Sequence, residues 1–120
     1  VQAEGADAFA RSWRTGTRVV GDRAATFAEG MATRVTFDLT FDILRQYLDD
    51  IVTLSEEELE EGVRLAVRTT HNLAEGAGAA SLAAAVKLRD RLAGKKVVCV
   101  MTGGNIDSGR LVRILGRSTA

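Results

Sequence analysis

The 120-residue chain has no proline, one cysteine and one histidine, and its charges cancel, 16 Lys and Arg against 16 Asp and Glu. Each shortage removes a class of protein. Without a basic excess there is no electrostatic footprint for nucleic acid or an anionic membrane surface, so neither is expected as a partner. No apolar run approaches the roughly 18 residues of a membrane span, and nothing resembles a signal peptide. The lone cysteine, Cys99, lies inside an apolar run and is expected as a buried free thiol, which fits a reducing, cytoplasmic setting. His71 has no histidine partner and no serine or cysteine at a catalytic spacing, which leaves it a surface or capping role near a helix end. With no proline, the turns rely on the 12 glycines.

What is present describes a folded domain or part of one. Hydrophobic residues make up 46% of the chain and mean hydropathy is close to zero, a composition that buries a core rather than one that stays disordered. The central stretch is Lys95-Lys96-Val97-Val98-Cys99-Val100-Met101-Thr102-Gly103-Gly104-Asn105. Its β-branched run, 97–101, lacks polar alternation and predicts a buried parallel strand. Gly103 and Gly104 then allow a sharp turn and close approach of a ligand to the backbone. Ile106, Leu111, Val112, Ile114 and Leu115 predict a helix, with Asn105 or Asp107 near its cap. Strand, glycine turn and helix start together make a crevice for an anion or a polar ring edge.

The remaining elements follow in order. Residues 1–3 read as the tail of a strand, and Asp7 as the start of a short helix carrying Phe9, Ala10 and Trp13 and stopped by Gly16. Residues 18–21 suggest a short strand, and 24–32 a loop. Phe37, Phe41, Leu44 and Leu48 recur at helical spacing and predict one buried face. A short strand at 51–54 leads into Ser55 and Glu58, which form a capping box. Leu59, Val63, Ala66, Val67 and Thr70 share one face of the helix that follows. Glu60, Arg64 and Arg68 form a charged ladder on its solvent side. The acidic run 56–61 is a solvated helix start, not a metal site. An alanine-rich helix is predicted over 77–93, ended by Gly94. Gly76-Ala77-Gly78 imitates a dinucleotide fingerprint but lacks its last small residue and a preceding strand, so that reading is rejected. Glu75 stands where two helices meet, either a favourable helix-start charge or a functional carboxylate.

Four segments in series, Gln2-Ala3-Glu4, Thr26-Phe27-Ala28-Glu29-Gly30, Glu75-Gly76-Ala77-Gly78-Ala79 and Thr102-Gly103-Gly104-Asn105, with Asp49-Asp50-Ile51-Val52 between, resemble the C-terminal part of threonine and serine dehydratases. These are pyridoxal-phosphate enzymes of the tryptophan-synthase-β fold (fold type II). The resemblance covers essentially residues 1–120. It implies an α/β fold of parallel strands with flanking helices, the C-terminal portion of a large catalytic domain.

It also implies roles. Thr102 matches the hydroxyl residue that meets the cofactor's pyridine nitrogen, where a neutral partner favours elimination over transamination. Gly103, Gly104 and Asn105 match the adjoining turn. Gly30 matches a glycine beside the cofactor ring, with Glu29 where aspartate is commoner. Glu75 and Gly76 match a lining segment that usually reads Glu-Pro. Glu4, with the main-chain carbonyl of Ala8, matches a monovalent or divalent cation site, although Ala10 stands where some members carry a further polar ligand. The Schiff-base lysine and the phosphate loop of the family have no counterpart among these 120 residues, and Lys87, Lys95 and Lys96 are not expected to replace them. The implied activity is elimination of a hydroxy-amino acid to a 2-oxo acid and ammonia by an intact homo-oligomer acting on a small amino acid. Threonine synthase, a racemase, a non-catalytic interaction module and a generic phosphate-binding module are the rival readings.

Overall fold

The computed structural model describes residues 1–117. Its sheet is a two-stranded parallel pair, β1 (Gln2–Ala3) and β2 (Thr53–Leu54), with Gln2 opposite Thr53 and Ala3 opposite Leu54. Two helices separate these strands, α1 (Ala8–Thr15) and α2 (Asp38–Tyr47). After β2 come α3 (Glu56–Leu65), α4 (Gly76–Lys87), the short α5 (Arg89–Leu92) and α6 (Ser108–Gly116). Among the described residues no helix is long and apolar enough to cross a membrane.

Local sequence explains most of these boundaries. Gly16 ends α1 at φ +71°, a left-handed conformation that suits a residue without Cβ. Ser55 begins α3 through the expected capping box: its Oγ accepts from the Glu58 amide at 3.2 Å, and its own amide donates to Glu58 Oε2 at 2.9 Å. α3 continues into a π turn, Ala66–Thr70, and closes at exposed His71 in a left-handed conformation, the capping position expected for that residue. Asp107, one of the two expected caps, starts α6 by accepting from the Arg110 amide at 2.9 Å.

The core is built from small side chains. One cluster joins Ala3, Ala6, Ala28, Leu54 and Leu59 to Ala80, Ala83 and Ala84 of α4. The other joins Val63, Ala66 and Ala74 to Ala79 and Ile114. α4 therefore packs on both sides, and alanine on each side lets its neighbours come close. At Gly62 of α3 the helices come close enough that a Cβ there would lie 2.9 Å from the Ala83 Cβ.

Several expectations are corrected. Residues 97–101 form no strand, and Cys99 is exposed rather than buried. A strand needs a hydrogen-bonding neighbour, and this segment is held by Ser81 Oγ donating to the Val100 carbonyl at 2.8 Å. Val98 is 87% exposed and Val100 65%. The strand expected at 51–54 is only Thr53–Leu54, and that at 18–21 reduces to a single antiparallel bridge, Val20 to Val35. On α2 only Phe41 is buried, edge-on to Phe9 at 6.1 Å, while Phe37 faces out. The helix predicted over 77–93 breaks at Leu88 into α4 and α5. Arg64, expected on the solvent side, is buried: its Nε donates to Glu61 Oε2 at 2.6 Å and its Nη1 to the Ile114 carbonyl at 3.0 Å. α6 lies across that face of α3 and takes the guanidinium out of water.

Candidate functional site

Three segments converge on a cleft of about 280 Å³: the loop before the 3-10 turn Glu29–Met31, the start of α4, and the turn leading into α6. Its lining comprises Phe27, Glu29, Glu75, Gly76 and the run Asn105, Ile106, Asp107, with Arg110. Glu75 is the N-cap residue of α4 in extended conformation, yet its side chain makes no cap hydrogen bond. Its carboxylate is instead turned toward Gly103, where any Cβ would collide with Glu75 Oε1. The Glu75 amide donates to the Gly103 carbonyl at 3.1 Å, which fastens the glycine turn to the head of α4.

A second close approach fixes the same turn. A Cβ on Gly78 would collide with the Gly103 carbonyl, so α4 and the turn lie backbone against backbone. Gly76 has a similar constraint on its other side, where a Cβ would stand 2.6 Å from the Phe27 ring. Glycine at 76 thus admits the Phe27 ring against the head of α4. On the far wall the Arg110 guanidinium lies over that ring, 5.1 Å from its centroid. The cleft has a cation at one edge and three carboxylates, Glu29, Glu75 and Asp107, on its lining, the last engaged as the cap of α6.

The expected residues are distributed unevenly over this geometry. Glu75 and Asn105 line the cleft. Gly103 is bonded to Glu75, and the Gly104 carbonyl accepts from the Ile106 amide at 3.0 Å. Thr102 is exposed and precedes this turn. Gly30 sits in the 3-10 turn, where a Cβ would lie 3.0 Å from the Ala77 Cβ of α4. Glu4 and Ala8 lie in another segment, the 3-10 turn Glu4–Ala6 and the first residue of α1, and do not line the cleft. Glu4 is exposed, and the Ala8 carbonyl accepts from Ser12 Oγ at 2.7 Å. Among the described residues no three His, Cys, Asp or Glu side chains gather as a metal-binding group.

Sequence reasoning passed over the ring of Phe27 and over Arg110. The signal for Arg110 was its position three residues after Asp107, where capping puts its amide against Asp107 and its side chain on the first turn of α6. Nothing in the sequence pairs it with Phe27, 83 positions away in a different element.

Comparison with known proteins gives this geometry a family. The profile of the family described as pyridoxal-phosphate dependent enzyme matches residues 1–103. The L-threonine ammonia-lyase of Thermotoga maritima is 35% identical over 117 residues, covering 98% of this chain and 29% of its own length. The catabolic L-threonine dehydratase TdcB of Escherichia coli K12 is 33% identical, covering 97% of this chain and 36% of its own. Among solved structures, a T.th. threonine deaminase superposes with a TM-score of 0.81 at 36% identity, over 88% of this chain and 38% of that one. The chain thus spans about a third of the length of the relatives it matches. Its α/β fold is the one expected, that of the tryptophan-synthase-β-like enzymes. The chain belongs to the pyridoxal-phosphate dependent enzyme family.

Proposed function

We propose that this chain is the C-terminal portion, residues 1–120, of the catalytic domain of a threonine or serine dehydratase. The whole enzyme eliminates the β-hydroxyl of a small amino acid to give a 2-oxo acid and ammonia. The observation that carries the reading is the Gly103 turn, bonded to the head of α4 beside the Glu75 carboxylate and the cleft. The flanking chemistry fits a polar cofactor: a neutral hydroxyl at Thr102 and a carboxylate, Glu75, with no capping duty. When bound, pyridoxal phosphate supplies the electron sink for loss of the α-proton and the β-hydroxyl.

The residues of this chain then have limited, definite tasks. Thr102 would offer its neutral hydroxyl to the ring nitrogen without giving it a charge. Gly103, Gly104 and Asn105 would keep that hydroxyl in register, Glu75 would orient polar groups at the cleft, and Gly30 would lie beside the ring. No lysine lines the cleft, and Lys87 is committed to Glu58 and to the Thr53 carbonyl. In this reading the lysine and the phosphate loop come from the preceding part of the polypeptide. Within this chain, Glu4 and the Ala8 carbonyl would hold a cation, in competition with the Ser12 hydroxyl. The enzyme would be a cytoplasmic homo-oligomer.

The test is to express the full-length polypeptide that carries this segment and record its visible spectrum and its products. Bound cofactor, with 2-oxo acid released from threonine or serine, is the expected result. Absence of bound cofactor overturns the reading. Racemised serine or turnover of phosphohomoserine in place of 2-oxo acid would move the protein to a racemase or a threonine synthase.

A further inference from the structure

The cleft wall formed by residues 26–30 has no regular secondary structure except its last 3-10 turn. Such a loop keeps its place only if something fastens it. Thr26 Oγ1 accepts from the Ala28 amide at 3.1 Å, but that bond is local and travels with the loop. Packing of Ala28 and Phe27 on the core holds the loop in part, and just before it the Ala25 amide donates to the Gly5 carbonyl at 2.8 Å. The long-range hydrogen bond to the loop itself comes from Glu56, 29 residues away, whose Oε2 accepts from the Phe27 amide at 2.9 Å. Glu56 is the first residue of α3. That end of the helix is unusually well anchored. It carries the complete Ser55–Glu58 capping box, it follows fully buried Leu54, and Lys87 of α4 donates both to Glu58 Oε2 at 2.8 Å and to the Thr53 carbonyl at 3.0 Å.

The other oxygen of the same carboxylate sharpens the point. Glu56 Oε1 is buried and has no hydrogen-bond partner among the described residues. Burying a carboxylate oxygen without a donor is unfavourable, and a surface helix start would be served as well by a carboxylate left in water. The side chain is drawn inward nonetheless, to the amide of the residue whose ring forms one wall of the cleft.

We propose that Glu56 is a positioning residue: it fastens the Phe27 wall of the cleft to the rigid head of α3. Through Phe27 it holds the ring under Arg110 and against Gly76, and it keeps Gly30 on Ala77. Its consequence for the cofactor rests on the function proposed above; the tether itself does not.

The experiment uses the full-length enzyme with Glu56→Asp and Glu56→Gln. Aspartate keeps a charged first residue on α3 but is one methylene too short to reach the Phe27 amide. Glutamine keeps the reach and the acceptor without the charge. Amide hydrogen exchange over a peptide spanning residues 26–30 and the dissociation rate of the cofactor are read in each. In Glu56→Asp the peptide should exchange roughly tenfold to a hundredfold faster, the scale set by losing a hydrogen bond to a charged group. Cofactor release should accelerate with it, while Glu56→Gln stays within about threefold of wild type because the acceptor remains. Unchanged exchange in Glu56→Asp overturns the tether. Faster exchange with unchanged cofactor release overturns its role at the cleft. Equal damage in both variants overturns it too, since charge rather than reach would then matter. A wild-type protein without cofactor refutes the proposed function and leaves the exchange comparison standing.

Discussion

At the scale of single residues, the decisive feature is the contact between Gly78 and the Gly103 carbonyl. Alanine is ordinarily favoured over glycine within a helix by about 1 kcal/mol. At Gly78 that preference is reversed, because the added methyl meets a backbone oxygen already accepting from Glu75. Gly78→Ala should destabilise the protein by about 1–3 kcal/mol, the cost of overpacking a close contact, and loosen the turn carrying Thr102. Gly116→Ala is the control, as a Cβ there meets nothing within 4 Å among the described residues. Denaturant melts of the two variants should move in opposite directions. A neutral Gly78→Ala would show that the turn yields freely and does not fix the cleft.

The same residues mark how far a sequence can be read. A Gly-Gly pair before a helix announces a turn, because only local sterics are involved. Which backbone it presses against is set by α4, whose motif had looked like a failed nucleotide fingerprint. Arg64 shows the opposite limit. Its spacing from Glu60 reads as a solvent ladder, yet it is buried because α6 covers it with a carbonyl 50 residues further on. Phe27 and Arg110 escaped notice for that reason: a ring and a guanidinium in separate elements share no local signal.

At the scale of elements, α3 and α4 form the frame, and the head of α3 concentrates its electrostatics. Burial pushes the Glu58 carboxyl up, but hydrogen bonds from Lys87 and from the Ser55 amide, with the Lys87 charge, outweigh it and hold the group below the usual 4.5. Such a group is ionised in the fold at pH values where the unfolded chain would take up a proton. Its stabilisation is therefore complete above the ordinary glutamate range and is lost as the pH falls through the lowered value. Asp50, held low by hydrogen bonds from Arg91 and from the Ile51 amide, adds to the same trend. Melting temperature should be flat from neutrality to about pH 5 and decline below it, and Glu58→Gln should blunt that decline. Ser55→Ala should cost about 1 kcal/mol at neutral pH, the loss of a helix cap. A decline as steep in Glu58→Gln as in wild type would place the acid sensitivity elsewhere. The capping box was legible because both partners lie within one turn. The break at Leu88 was not, because neither proline nor glycine marks it.

At the scale of the whole molecule, the segment 97–101 is the largest departure from expectation. Its apolar, β-branched composition belongs to a sheet interior, yet Val98 and Val100 stand open. The composition reads as a strand, but none forms, because the segment has no hydrogen-bonding strand beside it among the described residues. Cys99 gives a direct measurement. In the 120-residue chain its thiol should react with a disulfide reagent as fast as an unfolded cysteine peptide. In the full-length enzyme proposed here it should react at least about tenfold more slowly, because thiol reactivity follows access. Equal rates would mean that the segment stays uncovered in both.

The two-residue pairing of β1 with β2 has a kinetic meaning. Aligning Gln2 with Thr53 closes a loop of about fifty residues for very few hydrogen bonds, an entropic cost that grows only logarithmically with length but must be met before the pairing forms. The helical hairpin of α3 and α4 closes a far shorter loop and buries its alanine seam at once. Contacts of low sequence separation form early, so α3 and α4 would nucleate this part of the chain, and β1 would dock last, on a platform already made.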